Sequence, residues 1–219
     1  FKEALKLKIQ SIEMATKDER KQIDDRDLLA SYDLYAKNFS DEELGIEAKF
    51  KAANLAKELE APEQTAARFR AIAEAHPKHN LAKASLSEAL AVLVKAQKWE
   101  ALGNESRALA EKTEIQSSLL EGDAEMKKQI AEARELSMVK ISENLEAEGK
   151  LEEAKSHYEK MLSENPSETM GIYSLVKLAA LSEQKLLNNR LAIEKFEELR
   201  ERYPSSKEAR QASLELARL

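Results

Sequence analysis

The 219-residue sequence contains no cysteine, only five glycines and only four prolines. Without cysteine the chain has no disulfide, no thiolate metal ligand and no cysteine nucleophile. So little glycine and proline leaves few turn residues for a β-sheet protein, whereas runs rich in Ala, Leu, Glu and Lys are typical of helices. The composition therefore predicts an all-α protein.

The sequence also lacks long apolar runs and clusters of charge of a single sign. No stretch of about 18 apolar residues is present, so we expect no direct insertion into a membrane. The 35 Lys and Arg residues are interleaved with 41 Asp and Glu residues, for a net charge of −6. Because no basic cluster is free of acids, we expect no binding to nucleic acid.

The residues and motifs that support chemistry are scarce as well. Phosphate-binding glycine loops, zinc-hydrolase motifs and serine-hydrolase motifs do not occur. Adjacent acids such as Glu152 and Glu153 point in different directions on a helix, so they do not form a catalytic pair. His76 and His79 have no third ligand at a suitable spacing. We therefore predict no enzyme activity, no cofactor and no metal site.

A repeated pattern is present instead. Stretches 28–40, 65–77, 154–166 and 192–204 can be superposed, and each has an aromatic residue at its fifth position: Tyr32, Phe69, Tyr158 and Phe196. Three residues later comes a large side chain: Tyr35, Ile72, Met161 or Leu199. The last three stretches end at Pro77, Pro166 and Pro204. This spacing predicts helices of fixed length with one buried stripe, in a helical repeat array.

A second set of helices precedes these stretches, and each carries apolar residues on one face. We name the first helix of each pair the A helix and the second the B helix. Stretch 102–114 fits as a degenerate copy in which Ser106 replaces the aromatic residue. We predict repeats at 1–40, 41–79, 80–114, 135–168 and 169–206, an insertion at 115–134 and a terminal helix at 206–219. A long helix is expected from about Ala124 to Glu148, after a glycine and an aspartate that suit helix caps.

The segment Gly149-Lys150-Leu151-Glu152-Glu153-Ala154, followed by Tyr158, Met161 and Pro166, resembles the tetratricopeptide repeat. The resemblance implies a right-handed α-solenoid of antiparallel helix pairs. It also implies a non-enzymatic module that binds a partner peptide or helix on its concave face. The period of 37 or 38 residues, as from 28 to 65 and from 154 to 192, exceeds the usual value of about 34.

In such an array the concave wall consists of A-helix residues outside the buried stripe. We expect Phe50, Asn54, Lys57, Tyr173 and Lys177 to contact the partner. Glu143 on the same wall would repel an incoming carboxylate, which disfavours recognition of a peptide's C-terminus. His157 is expected to face outward, and Trp99 is expected to fill space between repeats.

Two other functions fit the sequence. The chain could be a self-associating structural subunit that uses segment 115–148, where Ile115, Leu119, Met126, Ile130 and Ala133 would form an apolar strip. It could instead be a regulatory domain of a larger protein. The ending RYPSSKEARQASLELARL resembles bacterial envelope members of the family, which favours a periplasmic or envelope location over a cytoplasmic one.

Overall fold

The computed structural model describes residues 1–14, 25–112, 115, 117, 120–164 and 166–219. Across these residues the chain forms eleven α-helices and no β-strand, which confirms the all-α prediction. The helices are α1 (Lys2–Met14), α2 (Asp25–Asn38), α3 (Glu43–Leu59), α4 (Pro62–Ala75), α5 (Leu81–Lys95), α6 (Trp99–Glu111), α7 (Ala124–Ala147), α8 (Leu151–Ser163), α9 (Glu168–Gln184), α10 (Asn189–Arg202) and α11 (Lys207–Arg218). The sequence also predicts a helix turn near Lys17–Lys21, and this stretch lies outside the described residues.

The helices form two compact units, Phe1–Arg134 and Glu135–Leu219, and the division falls within α7. Within the first unit, each helix from α1 to α5 packs against the next helix in the chain. Within the second, α8, α9, α10 and α11 pack in the same consecutive order. Each unit therefore has the solenoid-like arrangement that the repeat predicts. The A helices are α1, α3, α5, α7 and α9, and the B helices are α2, α4, α6, α8 and α10.

The repeated aromatic position of the B helices lies in the core. Tyr32, Phe69, Tyr158 and Phe196 are at most 7% exposed, as predicted. The large residues three positions later are buried too, and α4, α8 and α10 end just before their prolines. In the degenerate copy, Ser106 is fully buried, and its hydroxyl donates to the Leu102 carbonyl at 2.8 Å. Trp99 begins α6 and is half-buried.

Three of the four described turns between A and B helices use the left-handed region of backbone space, whereas the turn of Glu60 and Ala61 is extended. Gln97, Gly149 and Leu187 have φ angles of 55°, 76° and 53°. Glycine adopts this conformation without steric cost, which explains Gly149. At the start of α7, Asp123 Oδ1 accepts a 2.9 Å hydrogen bond from the Met126 N–H, so the predicted N-cap is confirmed.

The apolar residues predicted to form a strip in segment 115–148 pack inside the chain where the structure describes them. Ile115, Met126, Ile130 and Ala133 are all buried, at most 8% exposed, while Leu119 lies outside the described residues. The predicted insertion 115–134 lies outside the repeat pattern, so the repeat could not predict that these side chains are buried. These four side chains are not available for self-association.

Candidate functional site

The first group of expected contact residues lies on α3, where three side chains form one connected patch. The half-buried Phe50 ring packs edge-on against the buried Phe69 ring, with 5.6 Å between centroids. Asn54 Nδ2 donates to the Phe50 carbonyl at 3.0 Å. Lys57 Nζ donates to Asn54 Oδ1 at 2.8 Å and to Glu88 Oε2 at 2.6 Å. Lys57 Nζ also lies 5.1 Å from the Phe69 centroid.

The second group lies on α9 and contains Tyr173 and Lys177. The half-buried Tyr173 ring has its centroid 6.2 Å from that of the buried Tyr158, and its hydroxyl donates to Glu143 Oε1 at 3.1 Å. Lys177 Nζ is 5.7 Å from the Tyr173 centroid and 3.7 Å from Glu146 Oε1. The structure thus places three of the expected contact residues together in the first unit and the other two together in the second.

The two groups share one local geometry. In each, a half-buried aromatic ring of an A helix packs against a fully buried aromatic ring of a B helix, and an A-helix lysine lies over one of the rings. Such a ring is held by packing, so it can contact another molecule with little loss of side-chain entropy. Both lysines already pair with glutamates, which leaves little free positive charge for a carboxylate.

A network of tyrosine, glutamate and lysine side chains supports the same surface and was missed from the sequence. The Tyr158 hydroxyl donates to Glu146 Oε1 at 2.7 Å, while Lys185 Nζ donates to Glu146 Oε2 at 3.0 Å. Tyr158 belongs to a B helix, Glu146 to the A helix before it, and Lys185 follows directly after the next A helix. The network therefore connects three successive elements of the second unit.

The first unit repeats this arrangement. The Tyr32 hydroxyl donates to Glu13 Oε1 at 2.5 Å, and Lys51 Nζ donates to the same oxygen at 2.8 Å. Where the B-helix aromatic is Phe69, the nearby A-helix charge is Lys57 instead of a glutamate. In both tyrosine copies the hydroxyl therefore meets a glutamate near the end of the preceding A helix, Glu13 for Tyr32 and Glu146 for Tyr158.

Burial and hydrogen bonding set the protonation of this network. Burial opposes ionisation of Glu146, but the hydrogen bonds from Tyr158 and Lys185 outweigh it and leave the pKa of Glu146 lowered. The Lys140 ammonium, 2.8 Å away, is the main cause of the lowered pKa of Glu143. Burial raises the pKa of Tyr173 to about 12 and also raises that of Tyr158. At neutral pH both glutamates are therefore anionic and both tyrosines are neutral.

The three histidines have separate surroundings. His76 Nε2 is 2.9 Å from Lys49 Nζ, and burial together with that ammonium lowers the pKa of His76. His79 Nδ1 accepts from the Leu81 N–H at 3.2 Å. The prediction that His157 faces outward is wrong, because the ring is half-buried and its Nδ1 is 2.8 Å from the Ser142 hydroxyl.

Two kinds of site are not found in the described part of the chain. No cluster of three or more His, Asp or Glu side chains there is arranged to hold a metal ion. None of the eleven helices combines the length and the apolar character needed to cross a membrane. The described polar groups of the candidate surface are largely engaged with one another, and its rings offer apolar contact.

Comparison with known families gives one match. Residues 173–206 match the family described as Tetratricopeptide repeat. The matched range contains most of α9, all of α10 and the turn that follows, and so it includes Tyr173, Lys177 and Phe196. No curated protein matches the chain. Residues 173–206 are therefore similar to a tetratricopeptide repeat, and the helix pairs that precede them repeat the same pattern.

Proposed function

We propose that the chain is a non-enzymatic protein–protein interaction module that binds a peptide or helix of a partner on the faces of its A helices. Tetratricopeptide repeats are generally protein-binding modules, and the family match supports this class of function. The contact residues in this proposal are Phe50, Asn54, Lys57, Tyr173 and Lys177.

The observation that carries the proposal is the paired-ring geometry found in both units. The Phe50 and Tyr173 rings are half-buried, each packed on a buried ring, so each presents a rigid apolar surface. Apolar side chains of a partner would gain burial there at about 25 cal/mol per Å². Because Lys57 and Lys177 are paired with glutamates, we propose recognition by apolar contact and not by capture of a terminal carboxylate.

Affinity capture with matched variants tests this function. The wild-type chain, Phe50→Ser and Leu34→Ser are used as baits, and bound proteins are identified by mass spectrometry. Leu34 is 43% exposed on the B helix α2, so its substitution removes a surface leucine from a different face. We expect a partner that is retained by wild type and Leu34→Ser and lost by Phe50→Ser. Equal retention by all three baits would contradict the proposed surface, provided that thermal unfolding shows all three to be folded.

We further propose an envelope location, supported by the resemblance of residues 202–219 to envelope members of the family. Parallel capture from soluble and membrane extracts tests it, because an envelope partner is expected in periplasmic or membrane material. A partner found only in the cytoplasmic fraction would contradict this location.

A further inference from the structure

The turn between α9 and α10 differs from the other described turns between A and B helices. It contains four residues, 185–188, whereas the turns before α6 and α8 contain three and the turn before α4 contains two. Leu186 packs against the core of the second unit, but residues 187–190 are all exposed. The longer turn therefore brings four consecutive side chains into solvent.

Leu187 is unfavourable in two independent ways. Its side chain is 82% exposed, and its φ of 53° lies in the left-handed region, where a Cβ atom crowds the backbone. The corresponding residues of the other turns are Gly149 and Gln97, which avoid either the crowding or the exposed apolar side chain. Exposed large apolar residues elsewhere in the described chain do not combine these two features.

Arg190 adds a third unfavourable feature to the same turn. It is the second residue of α10, and no acidic residue occupies the first turn of that helix. A cation at a helix N-terminus opposes the helix dipole. Arg190 forms no ion pair with any residue that the structure describes. Lys185 differs in this respect, because its ammonium is neutralised by Glu146 at 3.0 Å.

We propose that the exposed turn 187–190 docks a partner protein whose surface combines apolar side chains with carboxylates. Leu187 would be buried among the apolar side chains, and Arg190 would pair with a carboxylate. Asn188 offsets part of the cost of this turn, because its backbone N–H donates to the Ser182 carbonyl at 2.8 Å and its side chain accepts from the Leu191 N–H at 3.1 Å. Neither contact buries Leu187 or neutralises Arg190, and a partner of this chemistry would do both. This surface contains none of the five proposed A-helix contact residues, so the chain would have two separate docking surfaces.

Three synthetic amphipathic peptides test the chemistry directly. They share one leucine stripe and carry Glu, Gln or Lys at the flanking positions, and binding to the 219-residue chain is measured by fluorescence anisotropy. The Glu peptide should bind at least tenfold more tightly than the Lys peptide. Leu187→Ala and Arg190→Ala should each weaken binding of the Glu peptide at least tenfold. Leu214→Ala, which truncates a 66% exposed leucine on α11, should leave it unchanged.

A fourth variant separates strain from binding. Leu187→Gly removes the Cβ atom that crowds the left-handed backbone, so it should unfold at a higher temperature than Leu187→Ala while binding the Glu peptide no better. Similar binding of all three peptides, or equal effects of Leu187→Ala and Leu214→Ala, would overturn the proposal. Leu187-dependent binding to phosphatidylserine vesicles without peptide binding would assign the turn to a membrane surface and would also overturn it.

Discussion

Tyr158 donates a 2.7 Å hydrogen bond to Glu146, across the helix pair formed by α7 and α8. The tyrosine ring is fully buried, whereas the glutamate lies at the candidate binding face and also pairs with Lys177 and Lys185. One hydroxyl group therefore connects the packing of the repeat to the charge pattern of its surface.

Removing this hydroxyl should cost measurable stability. Tyr158→Phe keeps the buried ring but leaves Glu146 with one hydrogen bond fewer, so the free energy of unfolding should fall by about 1 kcal/mol. Tyr158→Ala should cost about 3–5 kcal/mol, since it also empties a core position. Urea unfolding measures both changes. A Phe variant as stable as the wild type would show that the hydrogen bond contributes nothing to folding.

Acid should weaken the second unit through Glu146. The pKa of Glu146 is lowered on folding, so its contribution to stability is present above the unfolded value of about 4.3 and is lost as the pH falls through the folded pKa. Glu146→Gln should therefore be less stable than the wild type at pH 7, with a difference that shrinks as the pH falls below 4.3. Unfolding free energies at a series of pH values measure this difference. A difference that stays constant would rule out the ionised network as its source.

Glu105 on α6 should show the opposite pH dependence. Burial raises its pKa, and its Oε1 atom has no hydrogen-bond partner in the described part of the chain, although Oε2 accepts from Arg70 at 2.7 Å. For an acid with a raised folded pKa, stability is lost as the pH rises above the unfolded value of about 4.3. The stability of Glu105→Gln relative to the wild type should therefore increase from pH 4 to pH 7. A relative stability that decreases over this range would mean that the Arg70 pair outweighs burial.

Gly171 on α9 should not tolerate alanine while Tyr203 is present. A Cβ atom built on Gly171 would overlap the Tyr203 hydroxyl group. Gly171→Ala should therefore destabilise the chain by about 1–3 kcal/mol, despite the better helix propensity of alanine. A double-mutant cycle with Tyr203→Ala supplies the control, because the alanine penalty should vanish in that background. A penalty of equal size in both backgrounds would exclude the ring as its cause.

The core could be predicted from the sequence because it depends on periodicity. The repeated aromatic residues and the residues three positions later occupy one helix face, and that face is buried wherever the pattern is clear. The alternation of A and B helices was predicted from the same periodicity, and the N-cap at Asp123 from the residue types that precede α7.

The surface network could not be predicted in the same way. Contacts such as Lys57 with Glu88, or Lys185 with Glu146, join long side chains on different helices, and their choice depends on the spacing between helices. His157 was misplaced because its phase on α8 indicates the outer face, yet a small residue on α7, Ser142, leaves room for the ring to turn inward. The insertion 115–134 lies outside the repeat, so the burial of its apolar residues carried no periodic signal.

Site-specific photo-crosslinking tests the central claim most directly, namely that the A-helix face binds the partner. A photoreactive phenylalanine analogue is placed at position 50 or, as a matched control, at position 34 on the B helix α2. The chain is irradiated in extract, and adducts are identified by mass spectrometry. We predict one defined protein adduct from position 50 and none from position 34. An adduct from position 34 with none from position 50 would contradict the account and place the binding surface on the B helices.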